Sequence, residues 1–184
     1  MQVTFARALL VGAGLLLAQQ PGAAQTPIFL NINPSWSPDG RQLVFESRRH
    51  GAASLYIINA DGSGERRLTW TLGDDTHPAW SPHGSHIVFD SNRDGAWNLY
   101  SIKPDGTDER RLTHPGANRR LTFARHPAWS PDSRRIVFDS DRDGDEEVYV
   151  MNADGSGATR LTNAPGRDGH ASFTRDGQRV VFGS

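Results

Sequence analysis

From residue 34 onward apolar and polar residues alternate in short runs, and each run is closed by proline, aspartate or glycine. Alternation with a period of two is the pattern of a strand with two unlike faces. The stretch after His126 shows the grammar. His126-Pro127-Ala128-Trp129-Ser130 predicts a short strand, and Ser130-Pro131-Asp132-Ser133 predicts a turn, because proline presets φ and aspartate suits the next position. Arg135 to Ser140 predicts a second strand, with Ile136 and Phe138 on one face. Asp141-Arg142-Asp143-Gly144 turns the chain again. Glu147 to Asn152 predicts a third strand carrying Tyr149, Asp154-Gly155-Ser156-Gly157 a further turn, and Thr159 to Thr162 a short fourth strand.

The same pattern recurs along the chain. Its anchors are Trp36, Trp80 and Trp129, with Phe173 in the fourth place, at spacings of 44, 49 and 44 residues. A period in the forties made of four short antiparallel strands predicts an all-β fold, a β-propeller of four-stranded blades. Blades are expected over about 34–69, 78–113 and 127–162, with a partial blade over 170–184. The array is therefore about three and a half repeats, a partial propeller or one completed by another copy. The recurring aromatics are expected to glue blades together: Trp36, Trp80, Trp129 and Phe173 on first strands, Phe45, Phe89, Phe138 and Phe182 on second strands, and Tyr56, Tyr100 and Tyr149 on third strands.

The first 24 residues do not follow the pattern. Arg7 is their single charge, Ala8 to Ala18 is an apolar run, and Gly22-Ala23-Ala24 reads as a small-residue cleavage site. This predicts a secretory signal peptide over 1–24, too short to span a bilayer as an anchor, with the propeller repeats over 25–184. No cysteine follows, which excludes a lipoprotein, a disulfide framework, a thiolate metal site and a cysteine nucleophile. The expected destination is the periplasm or the outside of the cell. A chain without Arg7 carries 19 basic and 21 acidic side chains, so bulk charge predicts neither a nucleic acid nor an anionic membrane as partner.

Three strings carry a resemblance to a known family: Trp36-Ser37-Pro38-Asp39-Gly40, Ser91-Asn92-Arg93-Asp94-Gly95 and Val148-Tyr149-Val150-Met151-Asn152-Ala153-Asp154-Gly155. They resemble the TolB-like, WD40-like (PD40) β-propeller repeat, over residues 34–184. The resemblance implies an extracytoplasmic propeller. It leaves three activities open: a platform for protein partners in the cell envelope, a metal-dependent oligogalacturonate-type polysaccharide lyase, or the propeller portion of a prolyl-oligopeptidase-like hydrolase. The family usually has six or more blades, so the chain is expected to be a piece of a longer protein, with a protomer whose ring another copy completes and a strained four-blade ring as alternatives; an open arc would expose two apolar blade faces.

Two candidate metal sites stand out, although no cofactor is expected for a platform. His77, His126 and His170 each lie three residues before the anchoring aromatic, with Asn33 in their place in the first repeat. Pseudo-symmetry brings equivalent first-strand positions together near the axis, and three neutral imidazoles can hold a divalent ion. Asp139-x-Asp141-x-Asp143-Gly144, echoed by Asp90-x-Asn92-x-Asp94-Gly95, matches the front half of a calcium loop but has Val150 at the twelfth position, with Glu147 as a substitute ligand. The connection from Thr113 to His126 is five residues longer than its counterparts, and with Arg110, Arg111, Arg119, Arg120 and Arg125 it is a candidate contact for an acidic partner. No Gly-x-Ser-x-Gly elbow, His-Glu-x-x-His or phosphate loop is present. Adjacent Glu146 and Glu147 are expected on opposite faces of a strand, which excludes them as an acid–base pair.

Overall fold

The computed structural model describes residues 30–114, 123–163 and 166–184. They form fourteen strands. The first blade is β1 (Asn31–Trp36), β2 (Gln42–Ser47), β3 (Ser54–Asn59) and β4 (Arg66–Arg67). The second is β5 (Asp75–Trp80), β6 (Ile87–Ser91), β7 (Asn98–Ile102) and β8 (Arg110–Arg111). The third is β9 (Ala124–Trp129), β10 (Arg135–Ser140), β11 (Glu147–Asn152) and β12 (Thr159–Arg160). A fourth sheet has two strands, β13 (Gly169–Phe173) and β14 (Val180–Gly183). Every pairing is antiparallel between strands consecutive in sequence. The leader expected over 1–24 lies outside the described residues.

The turn chemistry is visible atom by atom. At the first turn of each blade a side chain caps the reversal: Ser37 Oγ donates to Asp39 and accepts from Gln42 N, as Ser130 Oγ does with Asp132 and Arg135 N. Gly40, which closes the first of these turns, sits at φ 68°, where a side chain would be strained.

Blades stack because a strand has two faces and both are apolar here. On β6, Ile87 and Phe89 face the first blade, where they join Val44, Leu55, Ile57 and Leu68. Val88 between them faces the third blade, with Leu99, Leu112, Ile136, Phe138 and Met151. Val137 in turn faces the fourth sheet, packing with Ala171 near Phe173 and Val180. The first strand of each later sheet lies against the second strand of the one before: β5 on β2, β9 on β6, β13 on β10.

Among the described residues the sheets form an open arc, not a closed ring. The ends show it. Phe89 and Phe138 are fully buried, whereas Phe182 in the last sheet is 45% exposed. Trp80 is buried but Trp36 is 54% exposed, because among the described residues no sheet packs on that face of β1. The expectation that every recurring aromatic is core therefore holds in the interior of the array and fails at Trp36, whose face meets no described sheet, and at Phe182, whose two-stranded sheet lacks the third-strand tyrosine that stacks on Phe89 and Phe138.

Candidate functional site

The three histidines owe their place to a defect in the first strand. In each sheet two residues of the first strand oppose one phenylalanine of the second. Asn33 and Pro34 oppose Phe45, and His126 and Pro127 oppose Phe138, since the register skips between Ile32 and Ser35 and between Val137 and Asp139. The same bulge recurs at His77 and His170. The bulged residue is left-handed throughout, with φ of 52° at Asn33, 48° at His77, 50° at His126 and 53° at His170. Asparagine and histidine tolerate this region better than most residues, and proline loses nothing where no ladder bond is made. The recurrence of Asn and His thus has a backbone cause.

The bulges bring the imidazoles into a row. Ring centroids of His77 and His126 lie 4.5 Å apart, edge to face, and those of His126 and His170 lie 4.2 Å apart, stacked. Behind the row runs a second one, of buried carboxylates. Each follows the second-strand phenylalanine: Glu46, Asp90 and Asp139. Asn33 Nδ2 donates to Glu46 at 2.9 Å, His77 Nδ1 lies 3.0 Å from Asp90, and His126 Nδ1 contacts Asp139. The carboxylates also reach across to the next blade, where His77 N donates to Glu46 and His170 N donates to Asp139, each at 3.0 Å. Arg125 Nε donates to Asp90 at 3.0 Å. In the last sheet Gly183 takes the carboxylate position, so His170 has no such partner on its own β14.

Burial of the His77 ring works against its charged form, but the hydrogen bond and charge of Asp90, with Glu46 beyond it, outweigh burial and the repulsion of Arg125. The pKa of His77 is raised above the ordinary 6.5. Against an ionised carboxylate, which only accepts, the facing Nδ1 of a neutral His77 or His126 is the donor, and that tautomer leaves Nε2 for another partner. Metal-binding histidines are held in this way, by a carboxylate behind the ring. Among the described residues, the group whose ligand atoms all lie within 4.8 Å of one another is His126, Asp139 and His170, without His77.

The three aspartates of the calcium-loop candidate are directed to three different partners. Asp139 serves His126 and His170 N, Asp141 Oδ1 accepts from Phe123 N at 2.7 Å, and Asp143 Oδ2 accepts from Tyr149 OH at 2.7 Å. Glu147 is buried and binds Arg160 and Thr162. Of the arginines near the long connection, Arg110 pairs with Asp108, Arg111 with Asp94 and Arg125 with Asp90, and Arg125 also stacks on Trp97. Arg119 and Arg120 lie outside the described residues.

Sequence reasoning missed the carboxylate row as a unit and did not single out Trp70 and Leu72 on the rim. The signal for the row was present, as an acidic residue after Phe45, Phe89 and Phe138. The rim that carries the second-to-third-strand turns and the blade-to-blade connections presents Trp70, 76% exposed, and Leu72, wholly exposed. The Arg67 guanidinium lies 4.5 Å from the Trp70 ring.

With the geometry in place, comparison with known proteins decides the family. The TolB beta propeller domain, PD40, matches residues 19–123 and 117–184. The chain belongs to the TolB beta-propeller family. Among curated relatives, an "Uncharacterized peptidase YuxL" from Bacillus subtilis (strain 168) is 52% identical over 40 residues, 21% of this chain and 6% of that protein. The "Tol-Pal system protein TolB" of Syntrophus aciditrophicus (strain SB) is 41% identical over 39 residues, 21% of this chain and 9% of that protein. Among solved structures, a putative TolB from Agrobacterium tumefaciens aligns with TM-score 0.64 and 27% identity over 76% of this chain and 50% of that chain. An oligogalacturonate lyase in complex with manganese aligns with TM-score 0.60 and 22% identity over 83% of this chain and 44% of that chain, a likeness of fold alone. The chain thus spans about half the length, or less, of the relatives it matches.

Proposed function

We propose that this TolB-like propeller is an extracytoplasmic scaffold that binds other proteins of the cell envelope. The observation that carries the reading is the connection between the first and second blades. Trp70 and Leu72 stand out of it into solvent, and Trp70 is braced by Arg67. A large aromatic already held in place loses little entropy on binding, which is the property of an interface anchor. Family membership and the leader expected over 1–24 support the setting, the periplasm or outside the cell. Among the described residues no helix is long and apolar enough to cross a membrane. Self-association belongs to the same proposal, through the open ends of the arc.

The test is photo-crosslinking in the cell from a benzoylphenylalanine placed at Leu72. The expected result is a crosslinked envelope protein whose yield falls about tenfold on Trp70→Ala, as for loss of one anchor. An exported chain that crosslinks to nothing overturns the reading. Fusion of residues 1–24 to a reporter active only outside the cytoplasm tests the location separately.

A second reading is favoured by one cluster. His126, Asp139 and His170 offer ligand atoms within 4.8 Å of one another, in the class of fold that a manganese-bound lyase shares. On this reading the site, with His77 beside it, holds a divalent ion that activates an acidic polysaccharide for elimination. Calorimetric titration with Mn2+ and Zn2+ checks it. Stoichiometric binding lost in His126→Ala supports the lyase, and indifference to both ions removes it.

A further inference from the structure

The three complete blades repeat one arginine, and one of the three lacks the acids that its counterparts hold. Arg49, Arg93 and Arg142 each stand thirteen residues after their blade's tryptophan. Each lays its guanidinium on the Phe–Tyr pair of its own blade, at 4.3 Å from Tyr56, 4.4 Å from Tyr100 and 4.9 Å from Tyr149. Each Nε donates to a serine hydroxyl, of Ser47, Ser91 and Ser140. In the first two blades the remaining nitrogens are occupied. Arg49 binds Glu65 and Asn31, and Arg93 binds Glu109 and Asp75.

In the third blade the position of Glu65 and Glu109 is Ala158, and that of Asn31 and Asp75 is Ala124. Among the described residues Arg142 makes no ion pair. The remaining segments, 1–29, 115–122 and 164–165, contain no aspartate or glutamate, so the sequence offers no internal acid there. The electrostatics agree. Burial pulls the pKa of Arg142 down, with Tyr149 and Asp143 acting weakly against it. Arg93 suffers the same burial, yet Asp75 and Glu109 bring its pKa up.

We propose that Arg142 is a docking point for an Asp or Glu side chain of a partner protein, which takes the place that Glu109 and Asp75 hold on Arg93. The inference rests on the scaffold reading and gives its partner a chemistry. A half-buried guanidinium, fixed by an aromatic stack below and a serine at Nε, presents its outer nitrogens as a preformed fork for a carboxylate. Arg142 belongs to the same rim as Trp70 and Leu72, since both are on turns that follow even-numbered strands. Asp143 beside it is engaged by Tyr149 OH. The turn also carries Asp141, Asp145 and Glu146. Recognition therefore works through the two-point contact at short range and not through long-range attraction.

The experiment follows the Arg142 Nε–H resonance in 15N-labelled protein, assigned by its loss in Arg142→Gln. The probes are the peptide acetyl-Asp-Glu-Glu-Asp-amide, its Asn/Gln counterpart, and sodium chloride at matched ionic strength. A saturable shift with the acidic peptide alone is expected. Ala158→Glu, at an exposed position, supplies the internal acid and is expected to weaken the peptide about tenfold. Equal shifts with the neutral peptide or with chloride overturn the proposal, as does full binding by Ala158→Glu. Crosslinking from position 72 separates this idea from the one beneath it. If Ala158→Glu and Arg142→Gln capture the envelope partner as well as the wild type does, the docking point is wrong and the scaffold stands. If no variant captures anything while the peptide still shifts Arg142, the scaffold reading is wrong and the carboxylate site stands.

Discussion

At the scale of single residues, quasi-symmetry makes each blade a control for the others. Tyr100 OH donates to Asp94 and Tyr149 OH to Asp143, and burial together with these bonds pushes both phenols up to about 12. In the first blade His50 stands in the place of the aspartate, and Tyr56 OH is buried with no hydrogen-bond partner among the described residues. His50→Asp is therefore expected to stabilise the protein by about 1 kcal/mol. A thermal melt would show this as a rise of about 2–4 °C; a fall would mean that the ring of His50 matters more than the missing bond. His77 gives a second prediction. Its pKa is raised in the fold, so the charged ring contributes stability that is complete below the ordinary value of 6.5 and is lost as pH rises through the folded pKa. Histidine resonances titrated with a chelator present should place His77 above 6.5, and below the wild-type value in Asp90→Asn. A wild-type midpoint at or under 6.5 contradicts the role given to Asp90.

At the scale of the element, the bulge explains what the repeat pattern left ambiguous. A histidine at the same place in successive repeats reads as repeat consensus before it reads as a ligand set. The left-handed backbone at Asn33, His77, His126 and His170 shows that the position selects for backbone tolerance as well as for side-chain chemistry. His126→Asn keeps both the tolerance and, as Asn33 does with Glu46, an amide for the carboxylate behind it. His126→Val keeps neither: a β-branched residue is strained there and Asp139 loses its partner on that side. Valine should be less stable than asparagine by about 2–4 kcal/mol in urea unfolding. Equal stability would show that the bulge relaxes. Strand positions and turns were legible because alternation and Pro-Asp-Gly chemistry are local. The carboxylates were legible only as loop residues, because Asp90 and Asp139 also begin an Asp-x-Asn/Asp-x-Asp string, and nothing local says that the first of these turns inward.

At the scale of the whole molecule, the described residues form an arc that is open at both ends. Trp36 and Phe182 occupy positions that are buried in interior blades, and the difference lies in the missing neighbour, not in the residue. The chain as it stands is expected to self-associate through these faces. Light scattering on a sizing column should give a mass above that of one chain, and Trp36→Ser with Phe182→Ser should shift it toward the monomer. A wild-type chain that is monomeric at high concentration removes self-association from the proposal. The exposed Trp70 and Leu72 face a different direction, on the rim, so the same double variant should leave crosslinking from position 72 intact.

The sequence by itself determined the blade, its turns, the number of repeats and the equivalence of His77, His126 and His170, because each of these is written in spacings of a few residues or in one long period. The tertiary structure decided what the equivalent positions do. Whether a recurring aromatic is core depends on a sheet that stands beside it. Whether an arginine is satisfied depends on residues at two distant positions, Ala124 and Ala158 for Arg142, which meet only when four strands are folded into one blade. Burial and charge pairing are sums over neighbours in space, and a repeat pattern repeats the residue without repeating its neighbours.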